Sequence, residues 1–136
     1  KLRDQTPLGK LCMGQGSGMY FKSGSTFKYS GGDVEMMAPD ACIGLLSGSA
    51  AVISANLQIN NGCMLFTPQS TYTFQNNSRI SFDLGGRMVV NGDSPGTVTI
   101  PAGGIVRIGK RGKLEIANNY KLVIGTGAKL IIEKGA

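Results

Sequence analysis

The chain has 136 residues, 41% of them hydrophobic and 16% charged, with a net charge of +6 and no histidine. That is one domain, with enough apolar content for a core and too much for a disordered chain. Without histidine there is no Ser-His-Asp triad, no Cys-His dyad and no histidine metal site; no apolar run approaches the roughly 18 residues of a bilayer span, so neither a cofactor nor membrane insertion is expected.

The first residues, Lys1 to Lys10, lack the apolar stretch of a signal peptide. With Pro7, Gly9, Gly14, Gly16 and Gly18, residues 1–18 read as an N-terminal cap or linker. From residue 19 a beat sets in, two apolar residues at i and i+2 followed by turn formers. It runs through Met19/Phe21, Phe27/Tyr29, Val34/Met36, Ile43/Leu45, Ala51/Ile53 and Leu57/Ile59 at spacings of six to nine residues. It then tightens to eight residues through Met64/Phe66, Tyr72/Phe74, Ile80/Phe82 and Met88/Val90. The segment Asn91 to Gly96 adds two residues, a turn-rich bulge. Beyond it Val98/Ile100, Val106/Ile108, Leu114/Ile116, Leu122/Ile124 and Leu130/Ile132 keep a strict eight-residue period.

Residues at i and i+2 share one face of a strand, so each pair points inward and the residue between them points out. Glu115 is thus read as outward and Ile116 as inward. Glycine, 21 of 136 residues, falls at the bends, and no window holds a 3.6-residue apolar period. The fold expected is all-β: a right-handed parallel β-helix, or β-solenoid, over residues 19–136, irregular over 19–96 and regular over 97–136. Fifteen eight-residue units are expected to group three to a coil, giving about five triangular coils that each rise about 4.8 Å. A flattened coil of two units, seven or eight coils in all, is the alternative.

The last strand, Lys129 to Ile132, runs into Glu133-Lys134-Gly135-Ala136 with no helix or proline to cap it. Leu130 and Ile132 are therefore a candidate docking end, either continuing into further solenoid coils or meeting a protein partner.

Candidate chemistry is sparse. Asp33, Glu35 and Asp40 are the one acidic cluster, read as solvated acids, with catalysis or calcium binding as the alternative. Cys12, Cys42 and Cys63 show no zinc spacing; buried free thiols are the reading taken, with a Cys12 to Cys42 bridge as the alternative. Lys113, Lys121 and Lys129 share one slot of the repeat, so they should recur at the same height on successive walls, and with Arg107 and Arg111 they form a candidate face for an anionic ligand, a glycan above all. Lysines at outward positions also keep a sheet soluble, and too few aromatics stand nearby to stack on bases, so nucleic acid is not an expected partner. Thr71/Thr73 and Thr97/Thr99 resemble, on two rows, the threonine arrays of ice-binding solenoids, and Tyr20, off the inward beat, is a candidate exposed contact.

The run Gly112-Lys113-Leu114-Glu115-Ile116 through Gly127-Ala128-Lys129-Leu130-Ile131-Ile132 resembles the repeats of long surface and secreted proteins of Bacteroidetes, many exported by type IX secretion. It is also similar to the solenoid shafts of bacteriophage tail fibres and spikes. The resemblance implies a non-catalytic shaft or adhesion segment, not an enzyme, located outside the cell or on its surface. A virion module is the alternative. A polysaccharide-degrading β-helix acting through Asp33 or Glu35 is another, and a polymerising solenoid like the bactofilins a third.

Overall fold

The computed structural model describes residues 10–136, and every element in it is a strand. In chain order these are β1 (Lys10–Met13), β2 (Gly18–Phe21), β3 (Thr26–Tyr29), β4 (Asp33–Met36), β5 (Cys42–Leu45), β6 (Ala50–Ile53), β7 (Leu57–Asn60) and β8 (Cys63–Phe66). They continue as β9 (Thr71–Phe74), β10 (Arg79–Asp83), β11 (Arg87–Val90), β12 (Thr97–Ile100), β13 (Ile105–Ile108), β14 (Lys113–Ile116), β15 (Lys121–Ile124) and β16 (Lys129–Ile132). Wherever strands pair they do so in parallel, and each partner is the strand three further on, which makes the coil triangular and rules out the two-unit coil. Three strands make one coil, so the sixteen strands form five complete coils and the first side of a sixth.

Three walls result. The first holds β1, β4, β7, β10, β13 and β16, the second β2, β5, β8, β11 and β14, and the third β3, β6, β9, β12 and β15. One coil consumes from 21 residues, where Cys42 stands beside Cys63, to 26, where Arg79 stands beside Ile105. Two ladders lapse. No pairing joins β4 to β7 on the first wall or β9 to β12 on the third, the latter in the coil that carries Asn91 to Gly96.

All fifteen pairs of the sequence beat fall on strands, and their inward side chains stack into columns along the axis. On the second wall one column runs Phe21, Leu45, Phe66, Val90, Ile116. In the middle coils Ile59, Phe66, Phe82 and Val90 are wholly buried, each removing about 1.5–3 kcal/mol worth of apolar surface from water. The last coil differs: Ile116 and Ile132 keep the inward register but are 45% and 61% exposed, because no strand lies above them.

The corners are as constrained as the core. A Cβ on Gly86 would run into the Ile59 carbonyl and one on Gly112 into the Phe82 carbonyl, so the turns leaving β10 and β13 sit directly on the coil beneath. At the corner between β8 and β9, buried Thr67 donates from Oγ1 to the Leu45 carbonyl at 2.7 Å, and Ser70 donates to the Leu46 carbonyl at 2.7 Å. Tyr72 closes this corner, accepting from Thr67 N–H at 2.8 Å and donating to the Thr67 carbonyl at 2.9 Å. Backbone groups that the bend takes out of the ladder are thus satisfied by side chains.

Two expectations change. The segment read as cap or linker contributes β1, which pairs with β4, while residues 1–9, with Pro7 and Gly9, lie outside the described residues. The cysteines are also paired differently: Cys42 and Cys63 form a disulfide with Cα atoms 4.5 Å apart, and Cys12 is the free, exposed thiol. The cause is coil length. Twenty-one residues carry the chain once around, bringing Cys63 into register with Cys42 on the outer side of the second wall.

Candidate functional site

The sequence-based candidates divide by wall. Lys113, Lys121 and Lys129 open β14, β15 and β16, which belong to the second, third and first walls of one turn. They stand at the same height on three successive walls, forming a ring around the solenoid. Arg111 lies exposed in the turn between β13 and β14, and Leu130 and Ile132 pair with Val106 and Ile108 on the last strand. A cavity of about 390 Å³ opens beside that end, lined by Ile108, Gly112, Leu114 and Ile132 among others.

Arg107 is the exception among these cations. It lies on the outer side of the first wall, where it is bound by two acids. Its Nη1 donates to Asp83 Oδ2 at 2.8 Å, while Nε and Nη2 donate to the two carboxylate oxygens of Glu133, each at 2.8 Å. Asp83 also accepts from Gln58 Nε2 at 2.6 Å, and Gln58 donates to Asn60 Oδ1 at 2.9 Å. Beneath lies Ser81, outward by register between Gln58 and Arg107 yet only 4% exposed.

The electrostatics follow from these contacts. Burial alone would raise the Asp83 carboxyl, but hydrogen bonds from Arg107 and Gln58 outweigh it and hold the group below its usual range. The Arg107 hydrogen bond holds Glu133 below its usual range as well, and Arg107 is held charged by both partners.

Around this network lies a trough of about 720 Å³ lined by Asn60, Arg79, Asp83, Arg107, Lys110 and Glu133 among others. A second cavity of about 380 Å³ continues it, sharing Gln58 and Asn60 and adding Asp33 and Glu35. Asp33 and Glu35 therefore stand on the same wall as Asp83 and Glu133. Glu35 pairs with Lys10 at 3.3 Å and accepts from the Cys12 thiol at 3.7 Å. Asp40 is separate from them, accepting from Gly16 N–H at 2.9 Å across a corner. No group of three or more metal-binding side chains occurs among the described residues.

No family model, curated protein or solved structure matches the chain. What the site does has to be read from its own geometry.

That geometry brings together residues the sequence reading did not group: Gln58, Asn60, Arg79, Asp83 and Glu133 beside Arg107. Their signal was present in the spacing. Gln58 and Asp83 are 25 residues apart and Asp83 and Arg107 are 24 apart, each about one coil, so outward residues at that separation share a wall.

The second wall carries two further outward features. Tyr20 is 55% exposed, and its ring lies over Gly18 and Gly44, where any Cβ would meet it. Arg87, beside Cys63 in register, donates to the Pro39 carbonyl at 3.0 Å and pairs with Glu115 at 3.5 Å. The threonines of β9 and β12 are all exposed on the third wall, but no ladder joins those two strands, so the array is not one continuous sheet.

Proposed function

We propose that this chain is a non-catalytic β-solenoid segment serving as a rigid shaft and adhesion module of a cell-surface or secreted protein. The observation that carries the reading is the continuous stack from Lys10 onward, in which strand after strand extends one apolar core along one axis. Such a stack holds a fixed length, because each coil is hydrogen-bonded and packed to its neighbours.

One feature supports placement outside the cytoplasm: the Cys42–Cys63 disulfide suits an oxidising compartment.

Antibodies raised against the protein test the location on intact and on lysed source cells. Labelling of intact cells, or recovery from the medium, is the expected result. Labelling confined to lysed cells overturns the surface reading.

A further inference from the structure

We propose that Asn91 is a self-modification site, converting through a cyclic imide with Gly92 into aspartate and isoaspartate without an enzyme. Of the eight asparagines in the chain, only Asn61 and Asn91 precede glycine. A side chain on the following residue crowds its nitrogen, and glycine has none. The two pairs stand in opposite settings. Asn91 opens the excursion between β11 and β12, where Asn91, Asp93, Ser94 and Pro95 are exposed. Asn61 lies in the tight corner between β7 and β8, and Gly62 beside it is buried.

The geometry at Asn91 joins the reacting groups. Gly92 N–H donates to Asn91 Oδ1 at 2.8 Å, which holds the nitrogen against the side-chain amide that it attacks. Among the described residues no backbone carbonyl competes for that N–H. Flanking bonds fix the pair: Asn91 N–H donates to the Phe66 carbonyl at 3.2 Å, and the Tyr120 hydroxyl donates to the Gly92 carbonyl at 2.6 Å. Neither bond uses a group that the reaction consumes, so the reactants are positioned before the step begins. At the other pair, Asn61 is held at a φ of 62° and the Gly62 carbonyl accepts from Arg87 N–H at 2.8 Å. A Cβ on Gly62 would come within 2.6 Å of the Met36 side chain, so that corner is packed against both ring closure and water.

The step balances with water as the one co-reactant. The Gly92 nitrogen gives up its proton and bonds to Asn91 Cγ, the Cγ–Nδ2 bond breaks, and ammonia leaves with that proton. Water then opens the ring. Opening at Cγ leaves aspartate, whereas opening at the main-chain carbonyl leaves isoaspartate, whose backbone is longer by a methylene. Either product places a new negative charge near Asp93 and lowers the net charge of +6 by one. The change falls where Gly92 packs over the coil beneath, since a Cβ there would lie 3.3 Å from Thr67 Cγ2, and in the coil whose β12 has no ladder to β9.

The experiment incubates the purified full chain in neutral buffer and follows each asparagine by peptide mapping with mass spectrometry, in which the exchange of NH2 for OH adds about one dalton. The peptide holding Asn91 should convert about tenfold faster than the one holding Asn61, and should split into separate aspartate and isoaspartate forms on chromatography. In urea, where the packing at Gly62 is gone, the two pairs should react at similar rates. Asn91→Gln, whose longer side chain closes the ring poorly, should leave its peptide unchanged over the same period. An Asn91 peptide that keeps its mass in the parent chain overturns the inference, as does an Asn61 peptide that converts as fast in folded protein. A rate difference undiminished in urea overturns it too, because the fold is then not its source.

Discussion

Arg107 on β13 reaches one coil back to Asp83 and one coil forward to Glu133, at 2.8 Å in each direction, so a single side chain ties three turns of the solenoid together. Both acids are held below their usual range, and the unfolded chain therefore takes up their protons first as pH falls. The stabilisation is complete above the ordinary carboxylate values, about pH 4, and is lost as pH drops through the folded values. Arg107→Gln should flatten the acid limb of the stability curve below about pH 4 and lower the denaturation midpoint at pH 7. Urea titrations at several pH values measure both. An acid limb identical to that of the parent chain removes the role assigned to Arg107.

The alkaline side depends on Tyr72. Burial pushes its hydroxyl up to about 12, against the favourable hydrogen bonding at Thr67 and Ser70. A folded value above the unfolded one, about 10, gives stability that is fully present below pH 10 and lost as pH rises toward 12. Tyr72→Phe should abolish that component. At neutral pH it should cost about 1–3 kcal/mol, because Thr67 N–H loses its partner in a buried corner. Stability measured at pH 7 and pH 11 separates the two effects.

The inward columns make a graded prediction. Ile100 is wholly buried in the fourth coil, whereas Ile116 lies on the open end. Ile100→Asp should prevent folding, since it places an unpaired carboxylate in the core. Ile116→Asp should be tolerated far better in this chain, and Glu115→Ile should leave the fold intact. Thermal melts rank the three; equal midpoints for Ile100→Asp and Ile116→Asp contradict the position of the core's end.

Corner packing predicts opposite results for two glycine changes. Gly112→Ala drives a Cβ into the Phe82 carbonyl and should cost about 1–3 kcal/mol. Gly14→Ala meets nothing within 4 Å and should be neutral or stabilising, by about 0.4–1 kcal/mol. Denaturant midpoints of the two variants decide it.

The disulfide closes a loop spanning 21 residues, for which chain-entropy reasoning gives about 3 kcal/mol. Reduction, or the double substitution of Cys42 and Cys63 by Ala, should lower stability by that order. Replacing Cys12 alone by Ser should change little, since it is the exposed thiol. Unfolding curves with and without reductant provide the comparison.

What the sequence disclosed depended on the period of each feature. Inward pairs recur every six to ten residues, within sight of any local window, and all fifteen located strands correctly. Leu11/Met13 stands eight residues before Met19/Phe21 and belongs to the same beat, but the surrounding glycines obscure it, so that residues 1–18 read as an N-terminal cap or linker. Outward relationships recur at the coil length, and coils here vary from 21 to 26 residues. That variation hid the pairing of Cys42 with Cys63 and the meeting of Gln58, Asp83 and Arg107. The lysines were within reach of the shorter period: Lys113, Lys121 and Lys129 are one unit apart, one unit turns the chain onto the next wall, and they stand at one height on three walls.

The lapse between β9 and β12 has a mechanical consequence. Where the second coil meets the third, the first-wall ladder is also missing, but there a covalent bond between Cys42 and Cys63 carries load across the joint. From the fourth coil onward all three ladders resume, and Arg107 adds its ionic tie. The joint between the third and fourth coils has two ladders and no covalent link across it. Pulled along its axis, the solenoid should part at that level first, yielding in one step and leaving a disulfide-bonded lower half and a fully laddered upper half each able to keep its shape.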